Sequence, residues 1–177
     1  YVYNNEKDAI ISFLTPEGKF DHAIFESKQK YYNGLRDRRI KEHRRTMNTP
    51  MLNRAILCFQ KNDLLPCIVF CFSRKLCEIL ANQVPFTLIT SAEAAEIRKI
   101  TNTEMLPYKE EFEGTEEYTT ICNLFEKGIA YHHRGVDKIL KQLAEKLFKK
   151  GLLKVLFATE TLAVGVNMPT RLTVFTS

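Results

Sequence analysis

Three short clusters in this 177-residue chain place hydroxyl, imidazole and guanidinium groups directly after apolar runs. Ser73, Arg74 and Lys75 follow the run 67–72 (CIVFCF). His132, His133, Arg134 and Gly135 follow the run 129–131, and Thr159, Glu160 and Thr161 follow 152–158 (LLKVLFA). A fourth stretch, 162–169 (LAVGVNMP), continues the third cluster and contains Gly165 and Asn167. If each apolar run is a strand, the clusters stand at strand ends where helices begin. Helix starts concentrate unpaired N–H donors and partial positive charge, which together with arginines and hydroxyls suit phosphate oxygens. The same residues have plainer uses. Ser and Thr cap helices, histidines at strand ends satisfy local backbone groups, Gly165 permits a tight turn, and Asn167 bonds its own backbone before Pro169. Capping and phosphate contact share one geometry, so the two readings are compatible.

The elements that must hold these clusters can be read from periodicity. Thr49 and Pro50 open a helical pattern of Met51, Leu52, Ala55, Ile56 and Phe59. The run 67–72 has the character of a strand buried on both faces. Helices are expected after Ser73, from Ser91, after Thr115 with Gly128 as its stop, and from Asp137 with Gly151 as its stop. Further strands are expected at 129–132, 152–158 and 172–176. Strand and helix alternate from 67 onward, which predicts an α/β fold with a parallel sheet covered on both faces by right-handed crossovers. Before residue 49 the pattern differs: 9–14 (AIISFL) reads as a strand running into the turn Thr15–Pro16–Glu17–Gly18.

Charge is distributed unevenly. The formal charge is +5, yet 28–45 alone holds eight Lys or Arg against Asp37 and Glu42. Polyanion contact from that source is therefore local, although a solvated linker explains the same residues. The opposite bias occurs at 104–117, where six Glu accompany one Lys, and a solvated surface segment is expected there. Five cysteines (58, 67, 71, 77 and 122) lie mostly in apolar runs, as small hydrophobes do. Their spacing fits no zinc ribbon or finger, no disulfide framework is expected, and a reduced intracellular setting follows, cytoplasmic or nuclear. No apolar run approaches the roughly 20 residues of a spanning helix, so no membrane partner is expected. The first residue is Tyr rather than Met and no basic-then-apolar leader follows, which suggests an excised piece of a longer protein.

Segments 68–81 (IVFCFSRKLCEILA), 128–169 and 171–177 (RLTVFTS) resemble the second RecA-like domain of superfamily-2 DExH-box helicases, specifically the superkiller and exosome-associated RNA helicase branch. The first resembles motif IV; the second spans an HH-x-G turn and motif V, T-E-T-L-A-x-G-x-N-x-P. Tyr1–Val2–Tyr3 and 13–20 (FLTPEGKF) resemble the hairpin this branch carries between its motor domains. The resemblance implies an N-terminal hairpin and basic connector over 1–48 and a RecA-like parallel sheet with helices on both faces over 49–177. It implies that Ser73 and Arg74 face the nucleic-acid backbone, that His133 and Gly135 lie beside its channel, and that Thr159, Glu160 and Thr161 contact phosphates of the tracking strand. Gly165 and Asn167 match positions that approach the nucleotide. Arg134 departs from the small residue that relatives often carry and adds charge near the channel.

By the same resemblance the parent is an ATP-dependent RNA helicase moving 3′ to 5′ on single-stranded RNA. Its expected partners are that RNA, the first RecA-like domain of the same parent chain, and an RNA-decay complex. ATP and Mg²⁺ are expected to bind mainly to that first domain. This sequence contains no G-x-x-x-x-G-K-[ST] cradle and no DExH carboxylate pair, and it ends before the motif whose arginines would stabilise transferring phosphoryl charge. No catalytic residue is therefore expected within it, and the chain alone is expected to be inactive. A related DNA-repair helicase and a non-enzymatic nucleic-acid-binding scaffold are the alternatives at this point.

Overall fold

The apolar runs do become the centre of a sheet. The computed structural model describes residues 2–4, 9–11, 21–24, 26–27, 49–159 and 168–176, and its compact units are Tyr1–Phe59 and Gln60–Ser177. In the first unit β1 (Val2–Asn4) pairs antiparallel with β2 (Ala9–Ile11), Tyr3 opposite Ile10. Helix α1 (Thr49–Lys61) buries Leu52, Ala55, Ile56 and Phe59, the face its 3.6-residue period selects. The turn at 15–18 and the basic stretch 28–45 lie outside the described residues.

The second unit is a four-stranded parallel sheet in the order β4-β5-β3-β6. Its strands are β3 (Cys67–Phe70), β4 (Ile129–His132), β5 (Val155–Ala158) and β6 (Leu172–Phe175). All four residues of β4 and all four of β5 are buried, the signature of strands covered on both faces. Between β3 and β4 run α2 (Arg74–Asn82), α3 (Ser91–Met105), a 3-10 turn (Leu106–Tyr108), α4 (Lys109–Phe112) and α5 (Glu116–Phe125). Helix α6 (Lys138–Lys149) returns the chain from β4 to β5. These two crossovers travel across the sheet in opposite senses, so the right-handed rule sets α2 and α6 on opposite faces. Leu140, Leu143, Leu147 and Phe148 of α6 are all buried, while its lysines lie off that stripe.

Two expectations change in detail and one gains its cap. Strand β5 begins at Val155 rather than 152, because Gly151 N–H donates to Phe148 O at 2.9 Å and Leu152 N–H to Leu147 O at 3.1 Å, which commits those residues to the end of α6. The chain reaches its neighbour only at Lys154, whose N–H donates to Gly128 O at 2.7 Å. Helix α3 starts at Ser91, as expected. Thr90 is the cap; its Oγ1 accepts from Glu93 N–H at 3.2 Å, and Glu93 Oε2 accepts from Thr90 N–H at 2.7 Å, a reciprocal capping box. The acidic segment 104–117 is more than solvated surface: it folds into the 3-10 turn and α4, with Met105 and Phe112 buried.

The register fixes where the strands end. Phe70 lies opposite both Ala158 and Phe175, and Ala158 opposite His132, so the four strands stop on one line. The ladder then runs one step further: Cys71 N–H donates to Ala158 O at 2.7 Å, Thr159 N–H to His132 O at 3.3 Å and Thr176 N–H to Phe70 O at 3.0 Å. The described members of the strand-end clusters, Ser73–Lys75, His132–Gly135 and Thr159, thereby follow the same line of strand ends.

Candidate nucleic-acid interface

At the carboxyl end of β3, Ser73 is extended and caps α2, its Oγ accepting the Leu76 N–H at 3.1 Å. That leaves the hydroxyl proton to donate outward. The Arg74 and Lys75 N–H groups in the first turn have no acceptor within the helix, and both side chains are exposed. A hydroxyl and two N–H groups thus meet at one helix N-terminus whose first two residues are exposed cations, an arrangement suited to an anion.

The turn after β4 is built differently. His133 is only 3% exposed. Its Nδ1 accepts the Gly135 N–H at 3.0 Å, so the neutral ring carries its proton on Nε2, which lies 2.9 Å from Glu78 Oε1 of α2. Its ring stacks on Tyr131 at 5.6 Å and 11°. Burial holds the His133 pKa below its usual value, against the pull of the Glu78 carboxylate and with a further push from Arg74 and His132. The neutral imidazole therefore fixes the turn rather than offering a charge. A Cβ on Gly135 would fall 3.1 Å from both Cε1 and Nδ1 of that ring, and 3.7 Å from Cδ of Arg74. The missing side chain at Gly135 is what lets the histidine, the turn and Arg74 come together. Arg134 is exposed beside them.

His132 points elsewhere: Nε2 lies 2.8 Å from Glu145 Oε1 of α6. Thr159 is buried and its N–H is spent on the His132 carbonyl, which joins the third cluster to the second. Ser73, Arg74, His133, Arg134, Gly135 and Thr159 accordingly share one edge. Glu160, Thr161, Gly165 and Asn167 lie outside the described residues.

Glu78 and Glu145 are the residues that sequence reasoning missed. Glu78 could have been found, since it stands four residues after Arg74 and so on the same face of α2. Glu145 could not, because nothing local links it to His132. The cysteines stay free thiols; burial pushes Cys67 up to about 12, so it is no ready nucleophile. Among the described residues no group of three His, Cys, Asp or Glu could hold a metal ion, and no helix is long and apolar enough to cross a membrane.

No family model matches the chain. It is 32% identical over 179 residues to an uncharacterized helicase of Schizosaccharomyces pombe, a match covering 99% of this chain and 17% of that protein. It is 40% identical over 119 residues to the antiviral helicase SKI2 of Saccharomyces cerevisiae, covering 67% of this chain and 9% of the other. To the ATP-dependent RNA helicase mtr4 of Schizosaccharomyces pombe it is 41% identical over 113 residues, covering 63% and 10%. The chain thus spans only 9% to 17% of the length of these relatives.

Proposed function

Because the chain belongs to the superkiller branch of the DExH-box RNA helicases, we propose that it supplies the second RecA-like motor domain of an ATP-dependent RNA helicase, over residues 49–177, with an N-terminal hairpin and connector over 1–48. Its sheet edge would track the phosphates of single-stranded RNA. The observation that carries this reading is the shared strand-end line. The open N-terminus of α2 with Ser73, Arg74 and Lys75 lies beside the Gly135 turn, and Thr159 is tied to the same turn through His132. Hydroxyls, amides and guanidinium groups grip phosphates without reading bases, as a translocating channel requires. Thr161 and Glu160 extend this contact in our reading, and Gly165 and Asn167 face nucleotide.

The residues of this chain do not fit ATP and Mg²⁺ by themselves. The sequence has no P-loop lysine, and the described edge presents cations and hydroxyls with no grouped carboxylates. The first motor domain of the parent would hold both, and an RNA-decay complex inside the cell is the setting we infer. Purified 1–177 is expected to hydrolyse no ATP with or without RNA. Oligouridine carrying 4-thiouridine should crosslink to 73–75, 133–135 and 159–161 when irradiated and mapped by mass spectrometry. Turnover by the chain alone, crosslinks confined to 28–45, or equal competition by oligothymidine would each contradict this reading.

A further inference from the structure

On the helical side of the second unit, well away in sequence from the strand-end clusters, α3, the 3-10 turn, α4 and α5 enclose a continuous groove. Its middle is a cavity of about 330 Å³ lined by Asn102, Met105, Leu106, Phe112 and Tyr118 among others. A neighbouring cavity of about 270 Å³ shares Asn102 and Tyr118 with it. A shallower depression of about 480 Å³ shares Leu106 on the other side and adds Tyr108, Glu110 and Glu111. Leu106 is 70% exposed at the mouth of the apolar cavity, and Tyr108, 39% exposed, stands in the adjoining depression. Such a rimmed apolar patch marks a contact site more often than a bare surface.

Two further observations say what fills it. Thr101 is 5% exposed, lines the second cavity, and its Oγ1 has no hydrogen-bond partner. A buried hydroxyl left unpaired is destabilising, and a polar group entering the groove would remove that cost. The rim is acidic. Glu104 is paired with Lys146, and Lys109, which lines the cavity and the depression, is paired with Glu113, but Glu110 and Glu111 of the depression have no cation paired to them among the described residues. These two uncompensated carboxylates repel phosphate, so RNA does not belong here.

We propose that the α3–α5 groove docks a basic segment of a partner protein, one large apolar side chain entering the cavity and flanking Lys or Arg meeting the glutamates. A cavity of about 330 Å³ accepts a Phe, Leu or Met side chain as anchor. The cations flanking it act mainly on partner choice and association rate.

The test is a selection of phage-displayed random 12-residue peptides on purified 1–177, followed by anisotropy of the selected peptides. Selected peptides should place Lys or Arg around one Phe, Leu or Met. Changing that apolar residue to Ala, or making E110K/E111K in the protein, should weaken binding about tenfold. Leu106→Ser, at an exposed position, should weaken it while leaving the thermal midpoint in place. RNA crosslinking at 73–75 should be unaffected by these variants, which keeps this site separate from the helicase reading. Absence of a basic-apolar consensus would overturn the proposal. So would selected peptides indifferent to E110K/E111K, displacement of the peptide by oligouridine, or self-association of the chain abolished by the same charge reversals.

Discussion

His133 carries a consequence that its burial and its two partners fix together. Its Nδ1 is committed to the Gly135 N–H, and its pKa is held below the ordinary 6.5 mainly by burial. The unfolded chain therefore binds a proton more readily than the folded one between the lowered folded value and about 6.5. The stability this neutral ring contributes is complete above about pH 6.5 and is lost as pH falls through the folded value. Urea unfolding of 1–177 at pH 7.5 and 5.5 should show it, and His133→Asn should flatten the slope. Glu78→Gln removes the carboxylate that favours protonation and should steepen it. A flatter slope in Glu78→Gln would mean that His133 is a charged partner of Glu78 instead. Gly135→Ala should drive a methyl into the same ring, at 3.1 Å, and weaken oligouridine binding several-fold, because the turn beside Arg74 can no longer close. Anisotropy with the variant, alongside its thermal midpoint, separates that loss from unfolding.

At the scale of elements, helix stops organise the sheet. Gly128 ends the α5 turn at φ +79°, and a Cβ there would lie 2.6 Å from Cγ2 of Ile89; Gly114, at φ +83°, faces open space. Both substitutions to Ala meet the left-handed penalty of about 1–2 kcal/mol, but Gly128→Ala must also displace Ile89. Chemical denaturation should rank Gly128→Ala as clearly the more destabilising, and equal costs would show that Ile89 yields freely. Gly128 was legible from sequence as a helix stop because glycine is the residue that adopts this conformation. The parallel strands were legible for a related reason: 67–70 and 155–158 are apolar without alternation, which only two-sided burial explains. The sheet order was not legible, since it depends on which strands pair, not on any local pattern. Nor was the α4 turn, where glutamates mask the buried Phe112 and suggest plain surface. At the site, Ser73 and Arg74 announced themselves as a helix cap with a cation. The Glu78–His133 contact stayed hidden because it forms across the crossover, between residues 55 positions apart in sequence.

For the whole molecule, the decisive property is where its charge can meet a polyanion. The net charge of +5 is concentrated at 28–45, outside the described residues, and the α3–α5 face is acidic. Binding of RNA by charge alone would therefore favour 28–45, whereas a phosphate-tracking channel requires the sheet edge to hold phosphates as well. Arg74 separates the two, because its guanidinium stands at the open start of α2 beside the Gly135 turn. The most direct measurement is the salt dependence of oligouridine and oligoadenine binding by 1–177 and by its Arg74→Ala variant. Each phosphate contact on a single strand contributes a slope of about −0.7 in log affinity against log salt concentration. Phosphate tracking by the sheet edge predicts similar affinity for both oligomers and a slope in Arg74→Ala shallower by about 0.7. An unchanged slope and affinity in Arg74→Ala, or a marked preference for one base, would contradict it.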